Sequence, residues 1–188
     1  ATFTGFLVSF FPQLLRVFFI EFSKVQPNSE PIGDPGGAEG TSIISKSFLS
    51  SNVRAIPFIV SLSRLNFIPV IAIYSTFMQR AYDCIIHDIA LQNLPALFCM
   101  DRAGLVGNDG PTHHGVFDIS FMKSIPGMIV TAPKDGNELR NLLATAVKSR
   151  RNFSIRYPKT SSLCFDQNLE PVILKIGKWE IIHKGISQ

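Results

Sequence analysis

Short apolar runs recur at regular intervals through the second half of the chain. Runs of strand length lie at residues 69–74, 95–100, 127–132 and 153–157. Between the first two runs, residues 76–93 carry apolar side chains four positions apart, which is the pattern of one helix face. These side chains are Phe77, Ala81, Ile85 and Ile89. The pattern predicts strands that alternate with helices.

A second helix is predicted over residues 135–150. Asp135 opens it, Glu138 follows three residues later as in a capping box, and basic residues occupy the last turn. Strands that alternate with helices form a parallel sheet covered on both faces, so we expect a three-layer α/β/α domain with a mainly parallel sheet. Ligands of such sheets bind beyond the carboxyl ends of the strands.

The first part of the chain shows no such alternation. Residues 3–22 are largely apolar, but they lack a basic leader and a small-residue cleavage site. Polar residues and a proline interrupt the stretch at Pro12, Gln13, Arg16 and Glu21. We therefore expect a buried apolar segment rather than a membrane span. Residues 27–40 are rich in proline and glycine and are expected to form a linker or a long loop.

Composition limits the classes of function. With 188 residues, of which 46% are hydrophobic and 17% charged, the chain can bury one core and is not a disordered segment. Its formal net charge of +4 is spread out, which favours anionic small molecules over nucleic acid as partners. Cys84, Cys99 and Cys164 are far apart and form no CxxC pair, so a reducing compartment such as the cytoplasm is expected.

Side chains with useful chemistry collect where the predicted strands end. Tyr74, Arg102 and Arg156 each lie at or just beyond a strand end, so all three can face one crevice. Two arginines at equivalent positions favour a clamp for phosphate or carboxylate, because a guanidinium grips such oxygens bidentately. The alternative is a set of structural ion pairs. The acids available for those pairs are Asp101, Asp109 and Asp118.

His113 lies in a glycine-rich loop at the same edge, residues 101–115, with the sequence DRAGLVGNDGPTHHG. An imidazole in this loop can exchange protons near neutral pH, whereas an exposed histidine without a function is the alternative. The neighbouring His114 must point elsewhere and is expected to be incidental. His87, inside the first predicted helix, is expected to pack or to cap a contact.

Four stretches between about Pro69 and Pro158 stand out as specific motifs: IYSTFMQRAYDCIIHDIALQNLP, DRAGLVGNDGPTHHGVFDIS, IPGMIV and SIRYPK. Together they resemble the central, pyrimidine-binding domain of the 1-deoxy-D-xylulose-5-phosphate synthase family. Members of that family use thiamin diphosphate and magnesium to condense pyruvate with glyceraldehyde 3-phosphate and release carbon dioxide. This is the first step of the non-mevalonate isoprenoid pathway, and its product also feeds thiamin and pyridoxal synthesis. The resemblance implies a homodimer in the cytoplasm, or in a plastid-type organelle of a eukaryote.

The resemblance also implies a cofactor pocket. Phe77 would stack on the aminopyrimidine ring of the cofactor, and Tyr74 and Arg80 would line the same pocket. The family has a glutamate that hydrogen-bonds the pyrimidine, and a gapless alignment places that glutamate at Asn52. Asparagine can neither carry the charge nor shuttle the proton, so this position does not match the family.

The substrate side of the site follows from the same resemblance. Arg102 and Arg156 would hold the phosphate of the aldehyde substrate, and Tyr74 would contact the substrate beside them. Asp109 would lie near the hydroxyl groups, and His113 would handle protons around the reacting carbons as the catalytic residue.

The expected domain organisation has three parts. Residues 1–45 are a diverged or misread segment, residues 46–158 the pyrimidine-binding domain, and residues 159–188 a linker towards a further transketolase domain. In the family a separate domain with a GDG motif holds the diphosphate and magnesium, and neither GDPG at 33–36 nor NDG at 108–110 is expected to be a metal site. The chain is therefore expected to supply the pyrimidine-side half of a site and to lack turnover by itself.

Two other functions stay open. The chain can be an inactive relative that keeps the fold and serves as a binding or regulatory module, which Asn52 favours. It can also be half of another thiamin diphosphate enzyme, such as a separate transketolase C-terminal chain or a 2-oxo acid dehydrogenase β subunit. The loop at 101–115 argues against that last assignment. No nucleic acid or membrane partner is expected.

Overall fold

A computed structural model describes residues 17–21, 41–45, 52–162, 165–166, 168–179, 181 and 185. One sheet of six strands lies at the centre of this part of the chain, in the order β2-β1-β3-β4-β6-β5. All neighbouring strands in it pair parallel. The strands are β1 (Val17–Glu21), β2 (Thr41–Ser45), β3 (Ile68–Tyr74), β4 (Leu97–Asp101), β5 (Ile129–Thr131) and β6 (Phe153–Arg156).

Helical segments connect the strands. The α-helices of the described residues are α1 (Asn52–Arg64), α2 (Ser75–Met78), α3 (Tyr82–Cys84), α4 (Asp118–Lys123) and α5 (Gly136–Ser149). Between β3 and β4 the helix changes type along its length, with a 3₁₀ turn at Gln79–Ala81 and a π-helix at Ile85–Ala90. The loop after β4 contains two further 3₁₀ turns, Gly107–Asp109 and Pro111–His113.

The strands β3 and β4 send alternate side chains to two separate cores. Ile71 and Phe98 pack on one face of the sheet with α1, the π-helix and α4. Val70 and Leu97 pack on the opposite face against α5. Because both faces of these strands are covered by helices, their apolar runs are nearly continuous. The expected α/β class with a mainly parallel sheet is confirmed.

The four predicted strands are present as β3 to β6, with ends shifted by one or two residues. The strands β1 and β2 were not predicted, and they extend the same sheet by pairing beside β3. The predicted loop at 27–40 and most of the apolar stretch at 3–22 lie outside the described residues, and the domain boundaries stay a prediction. In the described part of the chain no helix has the length and apolar character needed to cross a membrane.

The predicted N-terminal cap of α5 is present. Asp135 accepts a hydrogen bond at Oδ1 from the backbone N–H of Glu138, at 2.8 Å. The Glu138 carboxylate accepts in return from the backbone N–H of Lys134, at 2.7 Å. The return bond therefore reaches one residue further than in a standard capping box, and side-chain oxygens accept from the N–H groups of Gly136 and Glu138 in the first turn.

The loop after β4 is fastened to the sheet edge at Gly115. Gly115 and Gly104 exchange two backbone hydrogen bonds, of 2.8 and 2.9 Å. A side-chain carbon at position 115 would lie 2.5 Å from Ser75 Oγ and would also overlap the carbonyl oxygen of Arg102. Such distances are below any ordinary contact, so the close approach of loop and sheet depends on the missing side chain.

We expect Gly115→Ala to lower the free energy of unfolding by about 1–3 kcal/mol, because the Arg102 backbone must shift to admit the methyl group. Urea denaturation of the chain measures this change. Gly185→Ala is the matched control, since a methyl group there meets open space. A loss for Gly115→Ala no larger than that for Gly185→Ala would contradict the close packing.

Candidate active site

Three strands bring candidate residues to one edge of the sheet. Tyr74 at the end of β3 pairs in register with Asp101 at the end of β4, and Met100 pairs with Arg156 at the end of β6. Parallel strands present their carboxyl ends on the same side, which is where ligands of such sheets bind. The predicted meeting of Tyr74, Arg102 and Arg156 at this edge therefore agrees with the topology.

An aromatic cluster lies at this edge, and we call Tyr74, Phe77 and His113 the ring cluster. The rings of Tyr74 and Phe77 stack with centroids 5.5 Å apart and an angle of 14° between their planes. The imidazole of His113 meets both rings edge-on, at 6.3 Å from Tyr74 and 5.4 Å from Phe77. Both arrangements are favourable for aromatic groups. The three side chains form one partly buried apolar surface.

One polar atom of the ring cluster has no internal partner. His113 Nδ1 lies 2.9 Å from Thr112 Oγ1, whereas His113 Nε2 is buried and makes no hydrogen bond with any described residue. An unsatisfied buried polar atom costs about 1–3 kcal/mol, so it marks a place where a ligand atom would be stabilised. When Thr112 donates to Nδ1, the proton resides on Nε2, which then faces the ligand as a donor.

Arg102 occupies a constrained position beside the ring cluster. Its φ of 59° lies in the left-handed region, which a residue with a side chain adopts only when its surroundings hold it. Asp101 accepts from the backbone N–H of Arg102 at 2.6 Å and from Nη1. Asp109 accepts from Nε at 2.8 Å, and the guanidinium carbon lies 3.8 Å from the centroid of the Tyr74 ring. These contacts fix both the backbone and the head of Arg102.

The two acids around Arg102 have pKa values displaced in opposite directions. Burial raises the pKa of Asp101, and the charge and hydrogen bonds of Arg102 offset only part of that rise. Hydrogen bonds from Lys159 and Arg102 lower the pKa of Asp109 to about 2. Asp109 therefore stays ionised at any pH at which the site would work.

Arg156 is paired with a fully buried carboxylate. Asp118 is 1% exposed, and its Oδ2 accepts from Arg156 Nε at 2.9 Å and from Ser75 Oγ at 3.0 Å. Its Oδ1 accepts from the backbone N–H of Ile119 at 2.8 Å. A buried carboxylate requires such donors, because an isolated charge in the interior is strongly destabilising. This cluster joins the first residue of α2, the first residue of α4 and the last residue of β6.

The ion pairs foreseen as the alternative to an anion clamp are present in the structure. Arg102 pairs with Asp101 and Asp109, and Arg156 pairs with Asp118. Both arginines nevertheless keep donors that bond no described residue, namely Nη2 of Arg102 and both Nη groups of Arg156. The ion pairs and a ligand-binding role are therefore compatible, and the phosphate role stays a prediction.

Other predicted residues lie outside these clusters. Arg80 is exposed on the 3₁₀ turn after α2 and makes no hydrogen bond within the described residues. Asn52 is the first residue of α1, and its side chain is outside the described part of the chain. His114 is more than incidental, because its Nδ1 accepts from the backbone N–H of Val106 at 3.2 Å and so holds the loop. Ser75 and Lys159 lie within the stretches that resemble the family, but neither was predicted as a site residue.

A cavity of about 340 Å³ opens beside Arg156. Lys123 and Thr131 supply its other polar groups, and Met128 and Val130 are among its apolar walls. Across the described ranges, no cluster of three or more histidine, cysteine or acidic residues could hold a metal ion.

We expect Asp118→Asn to lower the free energy of unfolding by about 2–4 kcal/mol, because asparagine has no charge to pair with Arg156 and keeps only one of the two buried acceptor oxygens. Asp83→Asn is the control, since Asp83 forms an exposed pair with His87 at 3.0 Å and such pairs contribute little. Urea denaturation at neutral pH measures both. Equal losses for the two variants would mean that the Asp118 cluster does not stabilise the site.

Comparison with known proteins places these residues in a shared domain. The family described as the transketolase pyrimidine-binding domain matches residues 57–162. A 1-deoxy-D-xylulose-5-phosphate synthase of Syntrophus aciditrophicus is 50% identical over 134 residues, which cover 71% of this chain and 21% of that protein. The synthase of Aquifex aeolicus is 51% identical over 132 residues, 70% of this chain and 21% of its own length. The chain thus spans about a fifth of the length of the curated relatives it matches.

The solved structures show the same fold. A split-gene transketolase, described as an inactive beta4 tetramer, superposes with a TM-score of 0.67 at 17% identity. The superposition covers 87% of this chain and 52% of the transketolase chain. At that identity the likeness concerns the fold alone. The resemblance found in the sequence, by contrast, is confirmed by the matched family and by the curated relatives.

Proposed function

The chain belongs to the transketolase pyrimidine-binding domain family, and we propose that it provides this domain to a 1-deoxy-D-xylulose-5-phosphate synthase. The proposed reaction condenses pyruvate with glyceraldehyde 3-phosphate, releases carbon dioxide and begins the non-mevalonate isoprenoid pathway. The observation that carries the proposal is the identity of about 50% with curated synthases. The matched family segment, residues 57–162, contains the ring cluster and both arginines of the sheet edge.

The ring cluster fits the cofactor that the family implies. A planar ring with polar edges matches aromatic side chains that carry one buried, unpartnered donor, His113 Nε2. Phe77 would hold the aminopyrimidine of thiamin diphosphate, with Tyr74 and Arg80 nearby. When bound, this cofactor supplies the carbanion chemistry, while the protein supplies binding, orientation and electrostatics. The fit is incomplete at Asn52, which cannot replace a glutamate.

The substrate roles follow from the donors that remain available. Arg102 and Arg156 would bind the aldehyde phosphate through the guanidinium nitrogens not used by their acids. Asp109, held ionised between two cations, would accept hydrogen bonds from substrate hydroxyls. His113 Nε2 would exchange a proton with a reacting oxygen that comes within hydrogen-bond distance, as a donor when the nitrogen of a charged imidazolium carries the proton and as an acceptor when that nitrogen is unprotonated.

We also propose magnesium as the partner of the cofactor diphosphate, a homodimer as the assembly and the cytoplasm as the location, or a plastid-type organelle in a eukaryote. The resemblance to the family supports the first two. The free thiols of Cys84 and Cys99 agree with a reducing compartment.

A second candidate function is a binding or regulatory module without turnover. Asn52 at the position of the family glutamate favours it. The two candidates share the ring cluster and the arginines, so ligand binding alone does not separate them, whereas turnover in a complete enzyme does.

A domain exchange tests the proposed function. We expect the Aquifex aeolicus synthase to retain product formation when residues 57–162 of this chain replace its own matching segment, a replacement we call the short graft. A longer graft that begins at residue 46 brings in Asn52, and we expect activity to fall by about 10²- to 10⁴-fold because a proton-transfer group is lost. Asn52→Glu in the longer graft should restore it.

Each outcome of this exchange has a separate meaning. A short graft that folds and dimerises as the host does but forms no product would refute the proposed function. A longer graft as active as the short one would show that Asn52 does not occupy the glutamate position. Circular dichroism and light scattering report folding and assembly independently of activity.

In the short graft we expect Arg102→Ala and Arg156→Ala each to weaken use of glyceraldehyde 3-phosphate roughly ten- to hundredfold, because each removes a charge-assisted contact. Steady-state kinetics with a phosphorylated and an unphosphorylated aldehyde measures the effect. Arg151→Ala is the control, since Arg151 is exposed and makes no hydrogen bond or ion pair with the described residues. Equal impairment with both aldehydes would leave the arginines as structural ion pairs only.

A further inference from the structure

We propose that Lys159 is a positioning residue: it holds Asp109, and through Asp109 the guanidinium of Arg102, in the place from which Arg102 contacts an anionic substrate. The inference rests on the proposed function for the identity of that substrate. Lys159 belongs neither to the ring cluster nor to the residues that bond the arginines directly.

A continuous chain of hydrogen bonds supports this role. Lys159 Nζ lies 2.6 Å from Asp109 Oδ1, and Asp109 Oδ2 lies 2.8 Å from Arg102 Nε. Both oxygens of the carboxylate are thus in use, one for each cation. The exposed fraction of the side chain falls from 45% for Lys159 to 22% for Asp109 and 17% for Arg102. This series of hydrogen bonds therefore runs from the solvent-exposed Lys159 to the less exposed Arg102 in the site.

Asp109 needs such an anchor because its own backbone is held only locally. It ends the 3₁₀ turn Gly107–Asp109, whose backbone bonds reach no further than Val106. Gly107 and Gly110 on either side have φ values of 56° and 79°, a region that glycine enters freely. The side-chain bond to Lys159, 50 positions away, is therefore the long-range contact that locates the Asp109 carboxylate, whereas the bond to Arg102 lies within the same loop.

Lys159 also couples the two arginines of the sheet edge. It follows Arg156 by three residues, in the segment that leaves β6. In the same segment the Tyr157 carbonyl accepts from the backbone N–H of Ala103, at 3.0 Å. The end of β6 thus carries Arg156, and the segment that follows it bonds the loop that carries Arg102. The bonds from Tyr157 and Lys159 to that loop therefore help to set the separation of the two guanidinium groups.

The charge of Lys159 matters for an anionic ligand. Arg102 and Lys159 balance the carboxylates of Asp101 and Asp109. Without Lys159, two carboxylates face one guanidinium, and their repulsion opposes the approach of a phosphate. Lys159 therefore offsets part of the negative charge of the two carboxylates, so that the positive charge of Arg102 is not fully neutralised and stays available to a ligand.

The test uses Lys159→Met and Lys159→Arg, with Lys148→Met as the matched control because Lys148 is exposed in the last turn of α5. In the 188-residue chain, carbon-detected NMR follows the Asp109 carboxyl during acid titration and the Arg102 Nε–H signal during addition of inorganic phosphate. In the short graft, kinetics separates KM from kcat for glyceraldehyde 3-phosphate.

We expect the Asp109 carboxyl of the unmodified chain to stay ionised down to about pH 3, because Lys159 and Arg102 lower its pKa. In Lys159→Met it should titrate at a higher pH, because only the hydrogen bond from Arg102 then lowers its pKa. Lys159→Met should also weaken the phosphate response of Arg102 and raise KM for the aldehyde roughly three- to tenfold, with kcat little changed. Lys159→Arg should restore these properties, and Lys148→Met should change none of them.

Several results would overturn the proposal. These are no phosphate response at Arg102 in the unmodified chain, a Lys159→Met variant with unchanged phosphate response and KM, and a failure of Lys159→Arg to restore them. A change in the Asp109 titration alone, without an effect on phosphate, would also overturn it, since the link would then be only structural. If the short graft is inactive but the NMR results are as expected, the proposed function fails and the positioning role of Lys159 stands.

Discussion

The buried carboxylate of Asp118 is the interaction on which the geometry of the site depends. It receives hydrogen bonds from Ser75, Arg156 and the backbone of Ile119, and almost none of it reaches solvent. Removing a charge from water is so unfavourable that the carboxylate requires its donors at bonding distance. The start of α2, the start of α4 and the end of β6 are therefore held together. Tyr74 directly precedes Ser75 and Phe77 follows it by two residues, so the same constraint places these two rings of the ring cluster.

Close packing at Gly115 completes this constraint from the other side of Ser75. The loop after β4 approaches so closely that a side chain at position 115 would overlap both Ser75 and the Arg102 backbone. Arg102 is held in a left-handed conformation at the same place. The energy of that conformation is offset by bonds to Asp101 and Asp109, which also orient the guanidinium. Donors that are fixed before a ligand arrives need little reorganisation when it binds, which is the physical basis of electrostatic preorganisation.

Periodicity predicted the part of the fold that is buried on both faces. The apolar runs of β3 to β6 and the capped helix α5 stand out because each has a clear period and clear ends. The strand β1 was not predicted because apolar residues continue on both sides of Arg16 and Glu21, so these two polar residues did not stand out as strand ends. The strand β2 was not predicted because only Ile43 and Ile44 in it are apolar. In the site, residues at strand ends were predictable from topology. Contacts such as Lys159 with Asp109, separated by 50 positions, have no signature in the sequence.

Binding and turnover depend on different parts of this chain. The ring cluster, the two arginines and their acids all lie at the carboxyl edge of the sheet. Under the proposed function they would orient a planar cofactor and an anionic substrate, which requires no proton transfer. The gapless alignment proposed for the family glutamate, by contrast, assigns it to Asn52, the first residue of α1. Loss of a proton-transfer group lowers the rate without removing the contacts that provide affinity. A chain with this edge intact and asparagine at that position can therefore keep its ligands while losing the reaction, which is why the proposed enzyme and the binding module share one structure.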